Sequence, residues 1–306
     1  MSCVEHRSAG VARPPRQQIR APDVAHCVRS FPSGGKSFTQ RAPPGHRTGA
    51  EDLIDTAAIV AAGFGSRLNE LTAAMPKGFL RIGGQSLIER SIHALIDFGI
   101  HRIVIGTGYQ SEHYDALAAR IPEITTVKSE VYATTGSMYT LWNMREQLDR
   151  PFLLLESDLL YEPRALALLL ADKDPDVVLA SDATHSGDEV FIETTDASGL
   201  VAMSKDRTQL SRIDAELVGI TKISVETYAG MCRTMEVHME TRPKLDYEYA
   251  LVEVAKTRPI RVLRADGLAW CEVDDAHHLR RANEQILPRV EAGHHARRRE
   301  SSASFA

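Results

Sequence analysis

The sequence predicts an α/β fold: an open, mostly parallel sheet with helices on both faces and a small antiparallel β insertion. Three observations point there. Short continuous apolar runs recur along the chain, as expected of strands buried on both faces. Stretches with apolar residues at helical spacing lie between them, giving repeated β–helix–β units. Residues 188–223 break that rhythm with short strand-like segments and no intervening helix.

In chain order, the first strand is Ala57-Ala58-Ile59-Val60, which runs into a glycine loop. Over 87–98, Leu87, Ile88, Ser91, Ile92, Leu95 and Ile96 fall at helical spacing, and Gly99 suits the position just past a helix end. Arg102-Ile103-Val104-Ile105-Gly106 is the next strand, followed by a helix over 111–120. Phe152-Leu153-Leu154-Leu155 is a third strand, and Pro163 opens a helix at a first-turn position. Val177-Val178-Leu179-Ala180 is another buried run. The insertion holds 190–193, 200–203 and 217–223, expected as antiparallel strands laid over one end. Lys244-Leu245-Asp246-Tyr247-Glu248 starts a helix continued by Tyr249, Ala250, Leu251 and Val254. In such sheets ligands bind outside the carboxyl ends of the strands.

Composition narrows the class. With 306 residues, 43% hydrophobic and 25% charged, the chain is globular rather than fibrous or disordered throughout. No apolar run approaches the roughly 20 residues that span a bilayer, so no membrane partner is expected. A net charge of −5 argues against a nucleic-acid partner. Cys3, Cys27, Cys232 and Cys271 show no C-x-x-C spacing, which indicates neither a disulfide framework nor a zinc site and fits a reducing, cytoplasmic setting. Residues 1–50 carry eight Lys/Arg against Glu5 and Asp23, and six of the 14 prolines, with no helical or strand period. They are expected to be a disordered basic extension. They lack the apolar core of a secretory signal; a transit peptide, a dispensable extension and a start assigned too early all remain open. Residues 291–306 are expected to be a disordered tail, leaving 55–290 as one domain.

The loop Ala61-Ala62-Gly63-Phe64-Gly65-Ser66-Arg67-Leu68 follows the first strand directly. Two glycines allow close backbone approach to an anion, and successive N–H groups can cup a phosphate. Leu68 stands where a dinucleotide fingerprint needs Gly or Ala, so a nicotinamide oxidoreductase is disfavoured, and no Walker pattern is present. Arg67 supplies a permanently charged fork. Alone, Lys77 of Met75-Pro76-Lys77-Gly78-Phe79 reads as a solvated surface lysine; coupled to the strand, glycine loop and Arg67 it reads as a phosphate-binding group. Asp158, in Glu156-Ser157-Asp158-Leu159-Leu160-Tyr161, lies at the carboxyl end of a strand where the ligand crevice belongs. It could instead cap the Pro163 helix. Thr135 or Ser137 could cap a helix opened by Thr134-Thr135-Gly136-Ser137.

Gly63-x-Gly65-Ser66-Arg67 followed by Pro76-Lys77 resembles the signature of the sugar-nucleotide pyrophosphorylase-like nucleotidyltransferases, and the small cytidylyltransferases among them. The resemblance covers essentially the whole core and implies a Rossmann-like sheet and transfer of a nucleotidyl group from CTP. It implies that Ala61, Ala62, Gly63, Gly65, Ser66, Arg67, Lys77, Thr134, Gly136 and Ser137 bind nucleotide, with Arg67, Lys77 and Lys205 catalytic. It also implies a Mg²⁺ ion held by Asp158 and by Asp274 of Trp270-Cys271-Glu272-Val273-Asp274-Asp275. Asp275 then becomes the cap of the next helix. No general base is needed, because an acceptor phosphate or phosphonate is already anionic.

For the acceptor, the resemblance implies Lys205, Asp246, Tyr247 and Glu272. Asp246 and Glu248 could equally be first-turn acids favoured by the helix dipole. The acidic, aromatic-poor wording Ser186-Gly187-Asp188-Glu189-Val190 suits a primary amine better than a trimethylated cation. The stretches 133–139, 156–161, 186–190 and 216–222 are similar to those of 2-aminoethylphosphonate cytidylyltransferases, implying that acceptor. Phosphocholine is the alternative acceptor, and a nucleotide-binding regulatory subunit without turnover is the alternative class. The oligomeric state, a homodimer included, is left open.

Overall fold

The computed structural model describes residues 53–65, 67, 68, 72 and 74–293. Ser66 and the predicted extension and tail, 1–50 and 294–306, lie outside the described residues. The first residues of the stretch expected as a tail, 291–293, continue the last helix, in which Ile286, Leu287 and Val290 are buried.

The first strand, β1 (Thr56–Ala61), carries small and β-branched residues that are buried on both faces. A short hairpin follows, β2 (Arg81–Ile82) and β3 (Gln85–Ser86), turning at Gly83 and Gly84, both at positive φ. Helix α1 (Leu87–Asp97) starts where the Ser86 hydroxyl accepts from the Glu89 N–H. It ends in a Schellman motif: Ile100 N–H donates to Leu95 O, Gly99 N–H to Ile96 O, and Gly99 takes φ +85°. Next come β4 (Arg102–Thr107), α2 (Glu112–Ala118), β5 (Ile124–Lys128), α3 (Ser137–Asn143), β6 (Phe152–Glu156), β7 (Leu159–Tyr161), α4 (Arg164–Ala171) and β8 (Val177–Ser181). The remainder is β9 (Phe191–Thr194), β10 (Leu200–Ser204), β11 (Ala215–Ile223), α5 (Val225–His238), α6 (Tyr247–Ala255), β12 (Arg261–Arg264), β13 (Trp270–Glu272) and α7 (Ala276–Arg281), which continues through a π turn at Ala282–Ile286.

The main sheet runs β5-β4-β1-β6-β11-β8-β12, with β9 and β10 branching from the start of β11. β1 is parallel to β4 and β6, β4 to β5, and β8 to β12. Alternate residues point to opposite faces. Ile59, Ile105 and Leu155 meet Ile92, Leu95 and Leu166 on one side; Ala58, Val104 and Leu154 meet Leu141, Met231 and Leu251 on the other. Two covered faces explain why these strands read as unbroken apolar runs.

One expectation is corrected. β11 is not laid over one end: it is a central strand, antiparallel to β6 and β8, and only its first residues pair with β9. It changes neighbour at a bulge between Leu217 and Thr221, where Gly219 has φ +80°. β9 and β10 do form the expected antiparallel pair. A smaller core joins Leu80, Ile82, Leu160, Cys271, Val273, Ile286 and Val290. It fixes the antiparallel β7–β13 pair, with Glu272 opposite Leu159.

Candidate active site

A cleft of about 350 Å³ opens at the carboxyl ends of β1 and β6. Each wall is placed by a local requirement. Gly65 sits at φ +60°, and a Cβ there would lie 3.3 Å from both Lys77 Cβ and the Thr72 methyl, so the glycine loop rests against the lysine. Lys77 begins a 3-10 turn, Lys77–Phe79, after extended Pro76. Gly78 lets that turn press on the β6–β7 turn: an added Cβ would be 3.0 Å from Ser157 O and from the Tyr114 hydroxyl. From the other side, the Val273 N–H donates to Asp158 O (3.1 Å), which brings the end of β13 onto the same turn.

The consequence is a convergence of charge. Lys77 Nζ pairs with Asp158 Oδ2 and with Asp274 Oδ1, and lies 3.6 Å from Glu272 Oε1. Arg67 reaches Asp274 at 2.7 Å and Asp188 at 3.5 Å. Burial by itself would lower the Lys77 pKa; Asp158, Glu272 and Asp274 outweigh it and hold the ammonium above the usual lysine value. Asp158, expected either as a ligand or as a helix cap, makes no cap.

Acids outnumber bases here. Burial, then the charge of Asp158, pushes Glu156 up to about 7, although the Tyr247 hydroxyl donates to it at 2.5 Å. Burial, then Glu156 and Asp246, pushes Glu248 up to about 8. Glu272 is raised well above the carboxylate range by burial, Asp158 and Glu156. Burial and the neighbouring Asp274 carboxyl raise Asp188. Asp158 Oδ1, Asp274 Oδ2 and Glu248 Oε2 are buried with no hydrogen-bond partner among the described residues. Buried carboxylate oxygens without donors are what a hard divalent cation or an ammonium would satisfy. Glu156, Asp158 and Glu272 each offer an oxygen within 4.8 Å of the others, as do ligand atoms of Asp188, Asp274 and His278. In the second group His278 is engaged already: its Nδ1 accepts from the Asp274 N–H and its Nε2 faces Ser186 O.

Most of the residues expected to bind nucleotide meet here. Ala61, Ala62, Gly63, Gly65, Arg67, Lys77, Gly136 and Ser137 line the cleft, with Asp158 and Asp274. Thr134 is exposed and donates to Val131 O; its neighbour Thr135 is the residue lining the cleft. Neither Thr135 nor Ser137 caps α3. Ser137 Oγ instead accepts from the Tyr247 N–H (3.0 Å), so it caps α6 and ties the two helix starts together. Gly136 permits that contact, since an added Cβ would lie 2.4 Å from Leu245 O. Asp275 caps α7 as expected, accepting from the His277 and His278 N–H groups.

Of the residues expected at the acceptor, Lys205 and Glu272 border a second, smaller hollow of about 40 Å³. Lys205, Glu156 and Glu248 line both spaces, while Asp246 and Tyr247 line the cleft and Glu272 the hollow. Burial would lower the Lys205 pKa, but Glu272, Glu248 and Glu156 raise it on balance. Sequence reading missed Glu156 as a site residue and weighed Glu248 only as a first-turn acid. The available signal for Glu156 was an acid ending an otherwise apolar strand. Gly219 gives it room: a Cβ there would be 3.2 Å from Glu156 Cδ.

The fold is one shared with solved nucleotidyltransferases. The family described as the MobA-like NTP transferase domain matches residues 57–220, and the chain belongs to it. Among curated relatives, it is 27% identical over 246 residues to a CMP-5'-(3-aminopropyl)phosphonate synthase of Streptomyces rubellomurinus, covering 76% of this chain but 39% of that protein. It is also 27% identical to a 2-aminoethylphosphonate cytidylyltransferase of Lancefieldella rimae, covering 60% of this chain and 74% of the relative. Over 106 residues it is 31% identical to a choline-phosphate cytidylyltransferase of Streptococcus pneumoniae, covering 35% of this chain and 46% of the relative. The solved inositol-1-phosphate CTP transferase of T. maritima has the same fold, with a TM-score of 0.64 at 16% identity, covering 78% of this chain and 99% of that one. Among the described residues no helix is long and apolar enough to cross a membrane.

Proposed function

We propose that this protein transfers CMP from CTP to 2-aminoethylphosphonate, releasing pyrophosphate. The observation that carries the reading is the meeting of Lys77 with Asp158 and Asp274 beside the glycine loop. Backbone N–H groups of 63–65 and the Arg67 guanidinium take the triphosphate, and Lys77 faces the α-phosphate. Asp158 and Asp274, with donor-free oxygens, suit Mg²⁺, which when bound neutralises charge on the phosphates. A phosphonate oxygen, oriented by Lys205, forms a bond to the α-phosphorus. The bond from that phosphorus to the bridging oxygen breaks, and pyrophosphate leaves with the electron pair. No proton need be removed from the acceptor, so positioning and charge carry the rate.

The acceptor choice rests on the hollow's chemistry. Glu156, Glu248 and Glu272 line it, and the Tyr247 hydroxyl is already committed to Glu156. A primary ammonium can donate to several carboxylates at once; a trimethylammonium cannot and favours aromatic faces. A cytoplasmic setting, where CTP is available, is part of the same proposal.

The test is an acceptor panel with CTP, Mg²⁺ and pyrophosphate detection, with the product read by phosphorus NMR. The expected result is turnover of 2-aminoethylphosphonate at least tenfold above phosphocholine, abolished by chelation and restored by Mg²⁺. Equal or better turnover of phosphocholine would overturn the acceptor assignment. CTP binding without turnover of any acceptor would favour the regulatory subunit.

A further inference from the structure

Phe64 stands between the two glycines of the phosphate loop and is 44% exposed, an unusual position for a large apolar ring. Among the described residues none lies within 4 Å of where a Gly63 Cβ would be, so none of them confines the loop on that side. The Phe64 ring instead packs on two tyrosines from separate strand ends: Tyr109 after β4, with centroids 5.2 Å apart, and Tyr132 beyond β5, at 5.1 Å. Both tyrosines are fixed elsewhere. The Tyr109 N–H donates to Ala62 O (3.2 Å), and its hydroxyl donates to Thr72 O (3.4 Å). Thr72 in turn donates through its hydroxyl to Gly65 O (3.1 Å). Tyr132 sits tight on the β4 end, where only a glycine fits: a Cβ on Gly108 would lie 2.6 Å from Tyr132 Cβ and 2.8 Å from Ala62 O. Tyr132 also lines the cleft.

A loop with two glycines has many conformations to lose when its N–H groups must converge on a phosphate. Its one intervening side chain is the natural tether. We propose that Phe64 is a positioning residue: clamped between Tyr109 and Tyr132, it holds the glycine loop in its anion-binding shape before nucleotide arrives. The inference rests on the reading of that loop as the triphosphate cradle. Aromatic contacts of this kind supply preorganisation rather than a direct bond to the ligand.

The experiment compares the wild type with Phe64→Ala, Phe64→Tyr and Tyr109→Phe, full chain throughout. Three quantities are read: amide exchange of the 61–68 segment without ligand, equilibrium affinity for each of the four ribonucleoside triphosphates with Mg²⁺ but no acceptor, and the thermal midpoint. Phe64→Ala is expected to speed loop exchange and weaken the best-bound nucleotide about tenfold, a loss of ~1.4 kcal/mol. Its thermal midpoint and acceptor KM stay those of the wild type. Phe64→Tyr restores exchange and affinity, and Tyr109→Phe, which keeps the ring, has a smaller effect than Phe64→Ala. Unchanged exchange in Phe64→Ala overturns the proposal, as does unchanged nucleotide affinity, or a lowered midpoint with affinity intact. If a nucleotide other than CTP binds best to the wild type, the choice of CTP fails, yet the same tenfold loss for that nucleotide still supports the clamp.

Discussion

The two halves of the cleft are built in opposite ways. The half proposed to hold nucleotide is a basic, mostly local structure: one loop after β1, one turn at Lys77 and the start of α3, within about 80 residues of chain. The half proposed to hold the acceptor is acidic and gathers Glu156 from β6, Lys205 after β10, Glu248 from α6 and Glu272 from β13. Backbone shape governs the first, through Gly65 at positive φ and Gly136, where a Cβ would meet Leu245 O. Burial governs the second, pushing Glu156 and Glu248 to about 7 and about 8 because several acids share a small space. A phosphate cradle needs main-chain N–H groups in one conformation, which neighbouring residues can set. A cation pocket needs opposing charges from many directions, which only a folded chain supplies.

The sharpest break of this contrast lies where the halves touch. Asp158→Ala and Asp274→Ala should each reduce turnover at least a thousandfold in steady-state assays while circular dichroism stays native. Wild-type rates in either would remove that carboxylate from the reaction. Within the nucleotide half, Lys77→Ala should slow turnover about a hundredfold or more, by loss of one fixed positive charge at the reacting phosphate. In the acceptor half, Glu248→Gln should raise the acceptor KM about tenfold and leave CTP affinity unchanged in calorimetry. A matching loss of CTP affinity would mean that the halves are not separable. Gly65→Ala should destabilise the fold by ~1–2 kcal/mol, because φ +60° disfavours any side chain, and weaken CTP as well. Smallest, and outside both halves, Ser86→Ala removes the α1 cap; ~1 kcal/mol of stability and a few degrees of thermal midpoint should go, with kinetics unaltered.

The same contrast explains what could be read in advance. β1, β4, β6 and β8 and the end of α1 at Gly99 were legible, since each follows from a local apolar period or a backbone requirement. β11 was assigned to the insertion because alternation and length cannot reveal which strands flank it. β12, β13 and α5 gave too little signal: β13 is three residues long, and α5 mixes Thr, Met, Cys and Gly along its length. Ser137 was visible as a helix-start residue, yet it caps α6, 110 residues further along the chain.

By itself the sequence determined the strand–loop–helix order, the glycine loop with Arg67 and Lys77, and the presence of carboxylates at 158 and 274. Those features depend on residues close together in the chain, where periodicity and φ preferences act. Tertiary structure alone decided that β7 and β13 pair, that Lys77 sits between Asp158 and Asp274, and that three distant glutamates and Lys205 line one hollow. Such contacts depend on which buried surfaces pack together, and packing is a property of the whole core rather than of any segment of it.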